Sequence, residues 1–399
     1  MQEQTPSQEQ DPRLLVVLGT LLGFASISTD LYLPALPRMA EALGAEQSAL
    51  ELTVSGYLVG FSAGQLLWGP ISDRYGRRSP VAVGLVIFVL GAAGCALSTT
   101  AGQLILWRVV QALGASAGVV LARAMVRDLY SRDRAARVLS TLMTVMAVAP
   151  LVGPTVGGQI LRVADWPAIF WTLVAIGLAT LLALTTIPET LPRDRRTAEP
   201  MGQALAGYGE LLGNHRLMGY AAAGGFYFVG VFAYVAGTPF AFISYHGLSP
   251  QLYGLIFAAG IVGPMVTNLV NSRLVMRVGS DWMLWVGSLG AAASGLLVAL
   301  VARTGLGGIG GLAGALFLFV AMNGFINANM VSGALASVLG RVGAASALVG
   351  AIQYGGGVLG SALVGAFADG TPWPLGWVVA LSGLGTLASA LLALRSRHS

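Results

Sequence analysis

The chain has 399 residues, of which only 10% are charged, with 22 cationic against 17 acidic side chains and a net charge of +5. Ala, Val, Ile, Leu, Met, Phe, Trp, Cys and Gly together make up about two thirds of it, against roughly 45–50% in soluble domains, where about 25% of residues are charged. So few charges cannot cover a water-facing surface, and Cys95 stands alone, so soluble domains, a disordered chain and a disulfide scaffold are all excluded in favour of an all-α integral membrane protein.

Apolar stretches of about 20 residues, enough to cross ~30 Å of hydrocarbon, fall near 13–36, 48–69, 79–98, 102–127, 136–161, 167–187, 217–243, 251–273, 281–303, 307–332, 343–368 and 374–394. The polar start MQEQTPSQEQDP lacks the basic opening and small-residue cleavage site of a signal peptide, so the first span is expected to be retained. Every cation is Arg. Of the 22, 17 fall on one set of alternate loops and ends, Arg38, Arg162 and Arg303 on the other, and Arg108 and Arg123 inside a span. By the positive-inside rule both termini and the loop 188–216 are expected in the cytoplasm. The same distribution, with no polybasic arm, speaks against nucleic acid as a partner.

The loop 188–216 is the one polar, Pro-rich stretch of any length, and it parts six spans from six: a bundle over 1–187, a linker over 188–216 and a second bundle over 217–399. The halves echo one another. Arg74-Tyr75-Gly76 after the second span recurs as Arg277-Val278-Gly279 after the eighth, and Trp166-Pro167 before the sixth recurs as Trp373-Pro374 before the twelfth. The offsets, 203 and 207, nearly coincide. Twelve transmembrane helices in two pseudo-symmetric six-helix bundles predict a site near the bilayer midplane between the halves, which rock around it.

Asp30, in S-T-D-L-Y-L-P-A-L-P, is read as the single carboxylate set within a span, in its outer third. Burying a charge there costs at least ~2.5–3.5 kcal/mol on insertion scales, which makes it a functional residue by default. Gly23, Ser26 and Ile27 share its helical face. Arg108 enters the fourth span at similar depth and is the natural partner; Gln111 continues its face, and Arg123 lies ~22 Å further inward. The loop Gly69-Pro70-Ile71-Ser72-Asp73-Arg74-Tyr75-Gly76-Arg77-Arg78 sets an acid among cations at a helix end. The fifth span holds Gly153, Pro154, Gly157 and Gly158, small residues that suit a close helix contact. Gly56, Gly60 and Gly64 read as a packing seam. Tyr57, Phe226, Tyr227, Asn323 and Asn327 are candidate cavity residues. His215, His246 and His398 all lie outside the span interiors, so no histidine relay is expected. No nucleotide loop, metal cluster or catalytic triad is visible, so the chain reads as a non-enzyme without cofactor.

The loop G-P-I-S-D-R-Y-G-R-R resembles the signature of the major facilitator superfamily, and the resemblance extends over all twelve spans. It implies that Asp73, Arg77 and Asp128 form a gating charge relay, with Asp73 capping a helix of the opposite half. Arg108 to Gly114 is similar to the family's proton-coupling motif R-x-x-Q-G-x-G, departing from it at Ala112. Gly153-Pro154 with Gly157-Gly158 is similar to the antiporter motif G-P-x-x-G-G. Within the superfamily, S-T-D-L-Y-L-P-A-L-P and M-V-R-D-L-Y resemble the Bcr/CflA drug exporters. That resemblance implies a monomer in a bacterial inner membrane exporting small drugs such as bicyclomycin or chloramphenicol-like compounds against protons, with Asp30 and Arg108 coupling the proton. A transporter of a small metabolite (amino acid, dipeptide or sugar) is the alternative.

Overall fold

The computed structural model describes residues 12–130, 132–197, 201–338 and 342–395. It is helical almost throughout, as a chain without water to satisfy its backbone requires. α1 (Pro12–Asp30) passes through a 3-10 turn at Leu33–Ala35 into α2 (Leu36–Ala42), and α3 (Gln47–Tyr75), α4 (Arg78–Ala96), α5 (Ala101–Leu129), α6 (Arg132–Val163) and α7 (Pro167–Leu184) follow. The second half comprises α9 (His215–Pro239, ending in a π turn at 240–245), α10 (Pro250–Val278), α11 (Ser280–Thr304), α12 (Gly308–Ala321), α13 (Asn323–Ala336), α14 (Val342–Ala366) and α15 (Trp373–Arg395). Between the halves lies α8 (Met201–Leu212).

Among the described residues, ten helical stretches are long and apolar enough to cross a membrane, counting α1–α2, α9 with its π turn, and α12–α13 as one each. The remaining two crossings are α3 and α6. With 29 and 32 residues they reach about 43 and 48 Å at ~1.5 Å per residue. They are the seam helices, α3 packing on α14 and α6 on α10, while the other close pairings (α3/α5, α4/α7 and α1/α6, then α9/α14, α11/α15 and α10/α12) stay within a half.

Local chemistry sets the ends. Thr100, Asn214 and Ser249 accept from the backbone N–H groups of Gln103, Leu217 and Leu252 and so cap α5, α9 and α10. Gly76 (φ +89°) and Gly279 (φ +84°) both end a helix in a conformation that other residues resist, at the two positions where the duplicated loop places them. The tenth span is broken at Met322. Tyr227 Oη donates to the carbonyls of Phe319 (3.1 Å) and Val320 (3.0 Å), and Thr267 Oγ1 to that of Ala321, so the freed groups find partners. The loop expected over 188–216 is partly helical. α8 lies against both α3 and α14 at the Arg-rich end of the bundle, with Tyr208 Oη donating to the Leu66 carbonyl (3.3 Å).

Candidate functional site

The first helix ends at Asp30, because Pro34 and Pro37 cannot continue its hydrogen-bond ladder. This leaves the carboxyl at a helix terminus inside the protein, 6% exposed. It rests on α6: a Cβ at Gly153 would lie 3.0 Å from that of Asp30, and one at Gly157 would overlap the Leu31 carbonyl. One residue on, a Cβ at Gly158 would press on the Pro250 carbonyl (3.1 Å) and Gln251 Cα (3.2 Å) of α10, and Gln251 Nε2 donates to the Gly158 carbonyl (3.0 Å). The Gly-Pro-x-x-Gly-Gly run thus lies where α6 meets both the broken end of α1 and the other half.

Arg108 is fully buried and adopts a different arrangement from the expected ion pair with Asp30. Its guanidinium is held between the rings of Tyr32 and Tyr57, 4.2 Å from each centroid, while Nη1 donates to the Ser28 carbonyl (2.9 Å) and Gln111 Oε1 (2.7 Å). Two aromatic faces and a carbonyl solvate the cation, leaving Asp30 nearby with no bonded cation. Tyr32 Oη shares a hydrogen bond with Thr53 Oγ1 (3.1 Å). Arg108 Nε and Nη2, Gln111 Nε2, Tyr57 Oη and Ser28 Oγ are buried without partners, an unusual density of unsatisfied polar atoms.

Other expected cavity residues separate. Tyr57 stacks on Phe61 (6.1 Å), Phe61 meets Tyr354 of α14 (4.5 Å), and Tyr354 meets Phe228 and Phe232 of α9 (5.9 and 6.0 Å), an aromatic wall across the seam. Phe226 is not part of it. It is 46% exposed and packs toward Gly385 of α15, and Tyr227 is consumed by the break at Met322. A helix offers its faces 100° apart, so Phe228 and Phe232, not Phe226 and Tyr227, face α14. Ser26 is half-buried. Gly23 and Ile27 line an apolar crevice of about 680 Å³ with α6 and α7, on the side away from the second half. Asn323 and Asn327 are half-buried on α13, and Asn327 Oδ1 accepts from Gln353 Nε2 (2.7 Å). Arg123 is half-buried with its Nε unpartnered.

At the Arg-rich end, Arg77 bridges two acids: Nη1 to Asp73 (2.6 Å) and Nε to Asp128 (2.7 Å). The three residues expected to form a relay therefore come together. The Asp73 carboxylate bonds Arg77 and, among the described residues, caps no helix of the opposite half. Sequence reading passed over Glu189 of I-P-E-T, whose carboxylate accepts from the backbone N–H of Arg77 (2.7 Å), Arg78 (3.2 Å) and Leu191 (3.0 Å). Burial alone would push this acid up, but those N–H groups and Arg196 together hold it below its usual range. It also passed over Glu51, which is buried one turn into α3 and is a second carboxyl within a span.

Two helical halves meeting along a seam, with Arg77 joining Asp73 and Asp128 at one end, have the architecture of a membrane transporter. The chain belongs to the Major Facilitator Superfamily, whose family model matches residues 17–329. It is similar to the MFS-type transporter YdgK of Bacillus subtilis (34% identical over 388 residues, 96% of each chain) and to a bicyclomycin resistance protein homolog of Haemophilus influenzae (30% over 362 residues, 90% of this chain and 91% of that one). A chloramphenicol resistance protein of Pseudomonas aeruginosa is 34% identical over 281 residues, 69% of this chain and 65% of that one. The solved D-xylose-proton symporter shares the fold, with a TM-score of 0.74 over 96% of each chain at 19% identity.

Proposed function

We propose that this protein is a drug:proton antiporter that exports small drugs, of the kind named for the bicyclomycin and chloramphenicol resistance relatives, by alternating access. In this reading residues 1–187 and 217–399 are the rocking halves, 188–216 is the linker, and the Arg-rich end faces the cytoplasm of a bacterial inner membrane. Both halves of the site lie in one chain, so a monomer suffices.

The observation that carries the reading is the carboxyl of Asp30, buried without a bonded cation where α1, the glycine run of α6 and, through α6, the second half converge. Arg108 keeps its proton at any working pH, so the charge of this cluster can change only through Asp30. With its faces on two tyrosines the guanidinium stays fixed, and its field acts on Asp30 without closing an ion pair that would trap the carboxylate. A neutral Asp30 lets the surrounding groups pack dry; an ionised one demands water or a ligand. Proton and drug then each favour a different protonation state of one seam, which is what coupling requires. The aromatic wall of Tyr57, Phe61, Phe228, Phe232 and Tyr354 offers an apolar, adaptable surface for an uncharged drug.

The test is proton release on drug binding by purified protein. Wild type should release protons, and Asp30→Asn should bind drug with no release and fail to accumulate drug in liposomes under a pH gradient. A mutant that releases as many protons as wild type would remove Asp30 from the mechanism. Uptake instead of expulsion under an acid exterior would favour an importer of a small metabolite.

A further inference from the structure

Glu51 lies far from the relay and carries no part of the mechanism above. Its side chain is fully buried one turn into α3, at the end of the bundle opposite Arg77. Oε1 accepts from Gln47 Nε2 (2.6 Å), and Oε2 is buried with no partner. Across the seam stands Gly365 of α14, where a Cβ would lie 3.3 Å from the Glu51 Cβ and 3.5 Å from Oε2. One turn along both helices the seam continues in a hydrogen bond between Ser55 and Ser361 (2.8 Å). Beside Glu51 a cavity of about 280 Å³ is walled by Gln47 and Glu51 from the first half and by Gly237, Phe240, Val364 and Leu375, among others, from the second.

The elements around this cavity offer Glu51 no counter-charge. The titratable groups near this end of them are Glu46 ahead of α3, Arg38 and Glu41 on α2, Tyr245 and His246 at the π turn, Asp369 in the loop before α15, and Arg303 stacked on Trp373. Arg38 donates to the Leu161 carbonyl and Asp369 accepts from Thr371; none of the seven bonds Glu51. An ionised carboxyl sealed at this place would be uncompensated, which is far more costly than a neutral acid. The same group in an opened, wet mouth has no reason to keep its proton.

We propose that Glu51 is a second proton-binding site of the protein, occupied while this seam is shut and emptied when the halves part. On opening, the O–H bond breaks and the proton passes to water in the mouth; on closing, the carboxylate recovers it. The inference rests on the alternating access proposed above, and it makes closure of this end a proton-dependent step separate from Asp30.

The test uses the full chain in nanodiscs without drug, spin-labelled at introduced cysteines at Ala42 and Ala366, exposed positions on either side of this mouth. In wild type the open-to-closed ratio should rise with pH, by up to about tenfold per unit, the limit for one proton. Glu51→Gln keeps the shape of the neutral acid and should stay closed at every pH, whereas His246→Gln should retain the wild-type slope. A flat wild-type profile, a Glu51→Gln slope equal to wild type, or a slope lost in His246→Gln would overturn the proposal. A slope lost in Asp30→Asn but kept in Glu51→Gln would overturn it while leaving the Asp30 reading intact. Carbodiimide labelling of unmutated protein, read by peptide mass spectrometry, gives a second decision that needs no Glu51 variant. Glu51 should be modified in acid and spared as pH rises, and modification of Asp30 without Glu51 counts against the proposal.

Discussion

Adjacent glycines on α6 lean on different halves of the protein, so adding one methyl group to each should do different things. A Cβ at Gly157 would collide with the backbone carbonyl of Leu31, within the first half. Backbone cannot rotate aside, so α6 must shift off the end of α1. Overpacking of this kind costs about 1–3 kcal/mol, and because the contact lies within one half the loss falls on the folded state in every conformation. A Cβ at Gly158 would instead stand 3.1 Å from the Pro250 carbonyl and 3.2 Å from Gln251 Cα of α10. That contact is tight but exists only while the halves are closed at this end. Gly158→Ala should therefore leave thermal stability nearly unchanged and shift the conformational equilibrium toward opening, by about 5–150-fold for a penalty of about 1–3 kcal/mol. Gly157→Ala should lower the unfolding temperature and leave the distribution nearly as in wild type. Detergent-solubilised variants followed by size-exclusion thermal melts, together with spin-label distances across the mouth, separate the two. Equal melts and equal distributions for the two variants would refute the assignment of these glycines to different contacts.

Two further predictions concern the fixed charges. Tyr32→Phe keeps the ring over Arg108 and loses only the bond to Thr53, about 1 kcal/mol. Tyr32→Leu loses a cation–π contact of about 0.5–2 kcal/mol as well, so proton-driven drug accumulation should fall clearly further in the Leu variant, and equal losses would deny the ring its role. Glu189→Gln should destabilise the linker junction at neutral pH by about 1–3 kcal/mol through weaker bonds to the N–H groups that open α4. The carboxyl of Glu189 is held below its usual range in the folded protein, so its contribution is full above the unfolded value of about 4.3 and fades as pH falls through the folded value. The gap between wild type and Glu189→Gln in thermal melts should accordingly close in acid, and a gap that persists there would assign the effect to shape and not to charge.

Membrane class, the twelve crossings and their repeat were readable from the sequence, because a bilayer constrains a chain locally. Every backbone group inside it must bond within its own segment, so each crossing is written as one contiguous apolar run, and Gly76 and Gly279 mark the duplicated loop by a backbone conformation that few other residues adopt. The ion pair of Asp73 and Arg77 was legible for a related reason, since the two lie four residues apart at one helix end, whereas Asp128 entered only through the family resemblance. Tertiary structure alone decided the rest. That Arg108 is solvated by Tyr32 and Tyr57 and not paired with Asp30, that Phe228 and Phe232 rather than Phe226 face α14, that α8 bridges the halves, and that Glu51 is sealed against Gly365 all depend on how helices rotate and tilt against one another. In lipid, apolar faces carry no preference between a neighbouring helix and the bilayer. The rotation of each helix is therefore set by small-residue contacts and by the few polar groups seeking partners, and a residue's partner is a property of the assembled bundle, not of its own span.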